Sequence, residues 1–575
     1  MSETAGLLRR SLLDHRGKLA AVAGLAVAGV GCQLGQPFLI RRVLTAVQSA
    51  QPYRQLALAV LAVMVVGAAL GAVQQFLLQR TGEAMVFTVR RTLVAHLLRL
   101  PVAAYDERQS GDLVSRVGAD TAQVRSVITS GVVDLAGGVL LVGGSIAGMI
   151  IIDPVLLGVS LAPVLCGAAG VRLVGRRLRP LSSAVQESIG ALTASTTRAL
   201  GAIRTIRVAG ATERETALIV AEADRARAAG VRLALVAAQA GPIVRLALQG
   251  AFVAVIGFGG YRVANGAVSV GDLVAFTLLL FTLALPLAQL AEAATRIQTG
   301  LGALTRIEEI LALPDEDSAL GVRARTPATV RHDPVLLEFD HVSFRYPTGG
   351  EILRDVSFRV PAGSTTALVG PSGAGKSTIL ALIARLYEVH GGRILLHGRD
   401  IRDYPLAELR AALGYVEQEA PVLAGTVRDN LTLAAPDVAE HAIRHVTASV
   451  NLDDLLARDP AGLDAPVGDG GVLFSGGERQ RLAVARTLLA PGELLLFDEP
   501  TAHLDARNEQ ALQHGLTAHA AGRTLVVVAH RLATVAHADQ ILVIDDGRSV
   551  AAGRHEELLV RDPTYREFAT RQLLT

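Results

Sequence analysis

Charge is missing from long stretches of the first half of this chain. Residues 19–40 (LAAVAGLAVAGVGCQLGQPFLI) and 55–78 (QLALAVLAVMVVGAALGAVQQFLL) contain no Asp, Glu, Lys or Arg, and neither do 135–152, 154–171, 246–261 and 273–291. A backbone that crosses hydrocarbon must satisfy its own hydrogen bonds, so each such run reads as a helix of about 20 residues. Six spans are expected, at about 19–40, 55–78, 131–152, 154–173, 240–261 and 271–292. Asp153 and Pro154 mark a tight turn between the third and fourth. The fifth uncharged run is the shortest, and the helix is extended back past Arg245. A large soluble core would also raise hydrophobic content, here 51% of 575 residues. It would not confine the apolar residues to uncharged runs in one half.

The remaining bulk properties exclude more than they assign. A formal net charge of +2 gives no basic surplus for nucleic acid. Cys32 and Cys166 both fall in apolar runs, which fits small hydrophobes and neither a disulfide framework nor a metal cluster. The first apolar run is too long for a signal-peptide core and has no clear cleavage site, so it is expected to be retained. Lys18 and Lys376 are the only lysines, and every other basic side chain is arginine or histidine. That usage, with abundant Ala and Gly, suggests a GC-rich bacterial source and makes Lys376 conspicuous.

Between the spans, 79–130 and 172–240 are long and rich in Arg, and 172–240 has few helix breakers. Both are expected to hold helices that run past the bilayer on the side of the basic N-terminus. The stretch YDERQSGDLVSRVGAD (105–120) is expected to interrupt the first pair at Gly111, and AIRTIRVAGATERE (202–215) the second. Arg41, Arg42 and Arg54 oppose this orientation. Residues 312–335, with several prolines and no periodicity, read as a linker between a transmembrane domain (1–311) and a second domain (336–575) of alternating strands and helices.

That second domain carries the chemistry. In STTALVGPSGAGKSTILALIARL (364–386) an apolar strand, a glycine-rich loop and an apolar helix follow one another, with G-x-x-x-x-G-K-S from Gly370 to Ser377. Backbone amides of Gly370, Pro371, Ser372, Gly373, Ala374 and Gly375 (Pro371 excepted as a donor), followed by the helix start at Lys376, Ser377 and Thr378, make a cradle for phosphate. Lys376 reaches the β- and γ-phosphates as a compact charge, a task that suits Arg's planar fork poorly. Ser377 is a Mg²⁺ ligand candidate. GELLLFDEP (492–500) is a buried strand ending in Asp498, a second Mg²⁺ candidate, and Glu499, placed to activate water. TLVVVAHRLATV (524–535) brings His530 to the same sheet edge. ATP must be reached from the cytoplasm, which fixes the basic face of the spans as inside.

From Gly370 to His530 the order of phosphate loop, glutamine loop, LFSGGE, DEP, AHLD and AHR resembles the nucleotide-binding domain of an ATP-binding cassette (ABC) transporter. With six spans ahead of it, the chain is similar over essentially its whole length to an exporter-type half-transporter of the type IV fold. The fold class implied is an all-α six-helix transmembrane domain followed by an α/β P-loop NTPase domain. The resemblance implies that Tyr346 stacks on adenine, that Gln418 senses Mg²⁺ and contacts the coupling segments, and that Asp505 links two sites. It also implies that Ser475, Gly476 and Gly477 cap the nucleotide held by a second half-transporter, so that two chains enclose two ATP molecules with Mg²⁺. It places the chain as a multi-pass protein of the bacterial inner membrane, in contact with lipid, with coupling segments near 105–116 and 203–213.

Four positions depart from the family pattern: Phe474 where Leu is usual, Glu478 where Gln is usual, Asp469 where Glu is commoner, and His503 where Ala or Ser is usual. Glu478 brings a carboxylate near bound phosphate and leaves open a heterodimer with one impaired site. The implied activity is ATP-driven export of an amphiphile, drug, lipid or peptide. Alternatives are an importer of the same fold or an ATP-gated channel or regulatory subunit. Gln33, Gln36, Gln74, Gln75, Arg245, Gln249 and Gln289 are the candidate cavity groups.

Overall fold

The computed structural model describes residues 16–108, 110–127, 132–321, 334–347, 349–468, 471–501, 508–509, 512, 515–516, 522–529 and 535–573. Two compact units emerge: residues 1–94 with 114–312, and residues 95–113 with 313–575.

The first unit is helical. Its long helices begin with α1 (Arg16–Gln48) and α2 (Arg54–Leu97); the short α3 (Val102–Asp106) belongs to the second unit, and α4 (Val132–Ile152) returns to the first. They continue with α5 (Pro154–Gly201), α6 (Ile203–Val208), α7 (Thr212–Ala237), α8 (Ala240–Ala264) and α9 (Val270–Leu311). At 1.5 Å per residue the 48 residues of α5 extend about 70 Å, more than twice the hydrocarbon thickness. Among the described residues five helical stretches are long and apolar enough to span, and the sixth expected span begins in the apolar start of α9, Val270–Leu283.

Polar residues mark the ends of these helices. Asp153 caps α5, accepting from the backbone N–H of Val155 (2.9 Å) and Leu156 (3.2 Å), and Pro154 occupies the first turn, where its missing N–H costs nothing. The buried Asp153 also pairs with Arg262 at 3.1 Å, and Arg41 pairs with Asp272 at 2.5 Å. Arg41, which opposes the orientation by simple counting, is therefore neutralised by an acid on α9. Close approach of α5 and α8 depends on Gly167, where a Cβ would meet that of Ala247 at 2.4 Å. Met149, Leu156, Ala251, Val255, Phe276 and Leu279 form the buried centre of this unit.

The break after α2 lies elsewhere than expected. The helix stops before Pro101, which has no N–H to donate, and Gly111 sits inside a short helix, Ser110–Ser115. The second break matches the sequence reading: α6 is set off by Ala202 and by Gly210, whose φ is +62°.

The second unit is a two-sheet α/β domain. Strands β1 (Val335–Arg345), β2 (Glu351–Pro361), β4 (Gly391–Leu396) and β5 (Arg399–Asp400) form an antiparallel sheet in the order β2-β1-β4-β5. The larger sheet has the order β10-β9-β3-β8-β7-β6, built from β3 (Thr365–Val369), β6 (Leu413–Val416), β7 (Leu494–Asp498), β8 (Thr524–Val528), β9 (Gln540–Asp545) and β10 (Arg548–Gly553). Its central strands are parallel and covered on both faces, as all-apolar strands require. Alternation sorts their side chains: Ala367, Leu495 and Val527 pack in one core, and Leu368, Leu496 and Val528 in the other. All parallel strands therefore end at one edge, where a ligand of an open α/β sheet is expected.

Candidate active site

The loop leaving β3 is shaped by glycine. Gly370 has φ +151°, and a Cβ there would lie 1.9 Å from the Ile544 carbonyl oxygen. Gly375 has φ +98°, and a Cβ would meet Leu353 at 2.6 Å. Gly373, at φ +82°, has open space around it and needs glycine for conformation alone. Helix α10 (Lys376–Ile383) starts at once, so its unpaired N–H groups open on the loop. The Lys376 ammonium, buried, donates to the carbonyls of Gly370 and Pro371, both at 2.8 Å. Burial pulls it below its ordinary range, while the nearby Glu499 and Asp498 carboxylates pull it up. Ser377 is exposed at this helix start.

Asp498 ends β7 and is buried; Glu499 follows in a left-handed conformation, φ +48°. Two bonds hold that backbone: the Glu499 N–H donates to Val528 (3.2 Å), and its carbonyl accepts from Gln480 Nε2 (2.6 Å). Gln418 Nε2 donates to the Glu499 carboxylate at 3.3 Å. Lys376, Gln418, Asp498 and Glu499 thus share one sheet edge. Gln480, on a helix far away in sequence and buried, is a contributor that sequence reasoning missed; its position two residues beyond the SGGE tetrapeptide was the available signal. His530, Asp505, Asp469 and His503 lie outside the described residues.

Tyr346 is half-buried, in edge-to-face contact with Phe344 (5.0 Å) and Tyr387 (5.1 Å), and its hydroxyl lies 3.2 Å from that of Thr378. A cavity of about 500 Å³ opens beside it, lined also by Phe344, Tyr387, Pro101 and Ala103. The Tyr387 hydroxyl donates to Asp106 of α3 at 2.5 Å. Burial and that carboxylate together raise the Tyr387 phenol far above its ordinary range. Asp106, which lies in the segment expected to couple (105–116), thus contacts Tyr387 within the second unit.

Helix α11 (Gly476–Leu489) begins at the Ser-Gly-Gly turn. Ser475 is its N-cap, and Glu478 completes a capping box: the Glu478 N–H donates to Ser475 Oγ (3.3 Å) and the Ser475 N–H to Glu478 Oε2 (2.7 Å). Phe474 is buried in the core, so apolar has replaced apolar there.

The donors expected for Mg²⁺ are a hydroxyl (Ser377), a carboxylate (Asp498) and an amide oxygen (Gln418), all hard oxygens suited to that ion. Among the described residues no cluster of three His, Cys, Asp or Glu side chains could hold a metal.

In the first unit a cavity of about 480 Å³ is lined by Gln33, Gln74 and Gln289, with Asp134 and Thr282 among glycines and apolar side chains. Gln36, Gln75, Arg245 and Gln249 do not line it. Asp134, at the very start of α4, was missed because it stands one residue ahead of the uncharged run.

Fold and site together define a membrane-spanning P-loop ATPase. Comparison with known proteins gives the family. The ABC transporter transmembrane region family matches residues 19–287, and the ABC transporter family matches residues 353–502. The mouse protein "ATP-binding cassette sub-family B member 10, mitochondrial" is 32% identical over 99% of this chain and 80% of its own length. The ATP-dependent lipid A-core flippase of Photobacterium profundum is 33% identical over 88% of this chain and 86% of its own. A solved bacterial Atm1-family ABC exporter with ATP bound superposes with a TM-score of 0.80 at 29% identity, covering 97% of this chain and 98% of that one. The chain belongs to the ABC transporter family, as a half-transporter of the exporter fold in which ATP hydrolysis is coupled to transport.

Proposed function

We propose that this chain pairs with a second half-transporter in the bacterial inner membrane and exports an amphiphilic substrate at the expense of ATP. The observation that carries the reading is the cluster at the sheet edge, where Glu499 is held by Gln418 and by Gln480 beside the Lys376 loop. In it, Tyr346 stacks on adenine, and the loop amides and Lys376 hold the phosphates. Glu499 accepts a proton from the attacking water, as a carboxylate within reach of Gln418 can. Ser377, Asp498 and Gln418 would hold Mg²⁺, which supplies charge neutralisation on the phosphate oxygens. His530 and Asp505 are assigned to the γ-phosphate and to communication between sites on the family pattern alone. Ser475, Gly476 and Gly477 close over the partner's nucleotide, so one chain contributes two half-sites and two chains make two complete ones.

The membrane cavity supports an amphiphile. Its volume lies within the range of small-molecule sites, and its polar groups are few and set among apolar surface. The names of the relatives, a flippase and an exporter, support outward transport. The Asp106–Tyr387 contact supports transmission of cassette closure through α3; the exposed α6 is the second such segment.

The test is ATP-driven uptake of a fluorescent amphiphile into proteoliposomes whose cassettes face the bath. Accumulation against a gradient, abolished in Glu499→Gln while ATP binding survives, is the expected result. Equilibration without accumulation would indicate a channel, and ATP-driven loss from loaded vesicles an importer. Undiminished ATPase in Glu499→Gln would remove Glu499 as the base.

A further inference from the structure

A carboxylate in the first turn of α11 ought to repel the nucleotide that this helix start faces, yet the structure gives Glu478 two cationic or donor partners that turn it away. One oxygen accepts from the Ser475 N–H at 2.7 Å, and the other accepts from Arg458 at 2.5 Å. Arg458 is the last residue of a separate short helix, Asp453–Arg458, and reaches across to α11. The pair is asymmetric: the Glu478 side chain is 11% exposed and that of Arg458 58% exposed. The charge that matters is therefore the shielded one, and its counter-ion comes from solvent's side. Burial alone would raise the Glu478 carboxyl, but the bonds from Ser475 and Arg458 outweigh it and leave the carboxyl below its ordinary range. It is ionised at neutral pH.

We propose that Arg458 is a positioning residue for the signature turn: it neutralises Glu478 and holds it folded back on Ser475, so that Ser475, Gly476 and Gly477 present their donors to the partner's ATP without a net negative charge behind them. This rests on the reading that the signature turn contacts the partner's nucleotide. It makes Glu478 compatible with activity at both sites, so two copies of this chain can form two equivalent ATP sites. The requirement for Arg458 exists only because Glu478 is charged.

The experiment is a double-mutant cycle on full-length protein in nanodiscs, reading KM for ATP and kcat separately. Arg458→Ala is expected to raise KM about tenfold, with a smaller change in kcat. In the Glu478→Gln background the same substitution should change KM by less than about threefold, because the charge it balances is gone. A merely structural role for Arg458 would predict equal losses in both backgrounds. That equality, or an unchanged KM in Arg458→Ala, overturns the proposal. If Arg458→Ala does not accumulate as folded protein, Arg458→Gln is read in the same cycle, with the same outcomes. Ser475→Arg separates the two layers of inference. If it inactivates the ATPase while Arg458→Ala is silent, only the role of Arg458 fails; if Ser475→Arg is itself silent, the reading of the signature turn fails with it.

Discussion

Replacing Gln480 by alanine removes the donor to the Glu499 carbonyl. The bond is short, 2.6 Å, and Gln480 is buried. Glu499 sits at φ +48°, a conformation that costs a non-glycine residue about 1 kcal/mol or more and persists only where its surroundings impose it. A buried carbonyl left without its partner costs about 1–3 kcal/mol, and the half-buried Glu499 carbonyl falls toward the lower end. The backbone therefore relaxes, and the carboxylate shifts from its place beside Gln418. A displacement of about 1 Å in a catalytic group can cost about a hundredfold in rate. For Gln480→Ala, kcat should fall about ten- to hundredfold, equivalent to roughly 1.4–2.8 kcal/mol in the barrier. KM for ATP should stay within about twofold, since the loop from Gly370 to Lys376 keeps its own contacts. Gln480→Met, which keeps the size but has no hydrogen to donate, should behave like the alanine variant. Steady-state ATPase assays on reconstituted protein measure both constants. An unchanged kcat in either variant, with folding intact, would refute the idea that this bond sets the position of Glu499.

Tyr387→Phe keeps the ring against Tyr346 and loses only the hydroxyl donated to Asp106; substrate-stimulated ATPase should fall more than basal ATPase, compared in the same proteoliposomes. Gly370→Ala drives a methyl group to 1.9 Å from a backbone oxygen at a φ that side chains rarely adopt. It should destabilise the cassette by roughly 3 kcal/mol or more, seen as a lowered thermal midpoint and loss of ATP-dependent protection. Glu478 has a folded-state pKa below its ordinary 4.5. Its stabilising contribution is complete above the unfolded value and disappears as pH falls through the folded one. Unfolding midpoints followed from pH of about 6 to about 3 should therefore decline less steeply in Glu478→Gln than in the parent.

Much of the candidate nucleotide site was legible because its chemistry is local. A loop that wraps phosphate needs glycines at fixed offsets from one lysine, and Gly370, Gly375 and Lys376 occupy those offsets in a continuous stretch. Asp498 and Glu499 were legible because an apolar run, LLLF, ends in two carboxylates downstream of a glycine-rich phosphate-loop motif in the same domain. The membrane spans were legible for a similar reason: hydrocarbon tolerates no charge, so length and neutrality suffice. Helix breaks were harder. Gly111 looked like the weak point and lies in a helix, whereas the break falls beside Pro101.

Pairings between distant segments were the part that sequence could not give. Gln480 to Glu499, Arg458 to Glu478, and Tyr387 to Asp106 join residues 19, 20 and 281 positions apart. None lies on a periodic pattern, because each depends on how separate elements stack. The cavity polar groups divided in the same way: Gln33, Gln74 and Gln289 converge, while Gln36, Gln75, Arg245 and Gln249 do not line the cavity. The sequence by itself determined which segments are long and apolar enough to cross a membrane and which residues form the glycine-rich loop after β3, since solvent exclusion and backbone conformation act on contiguous residues. Only the tertiary structure decided how the charge of Glu478 is balanced, what holds Glu499, and which polar side chains share a cavity, since those depend on distances between elements that the chain order does not encode.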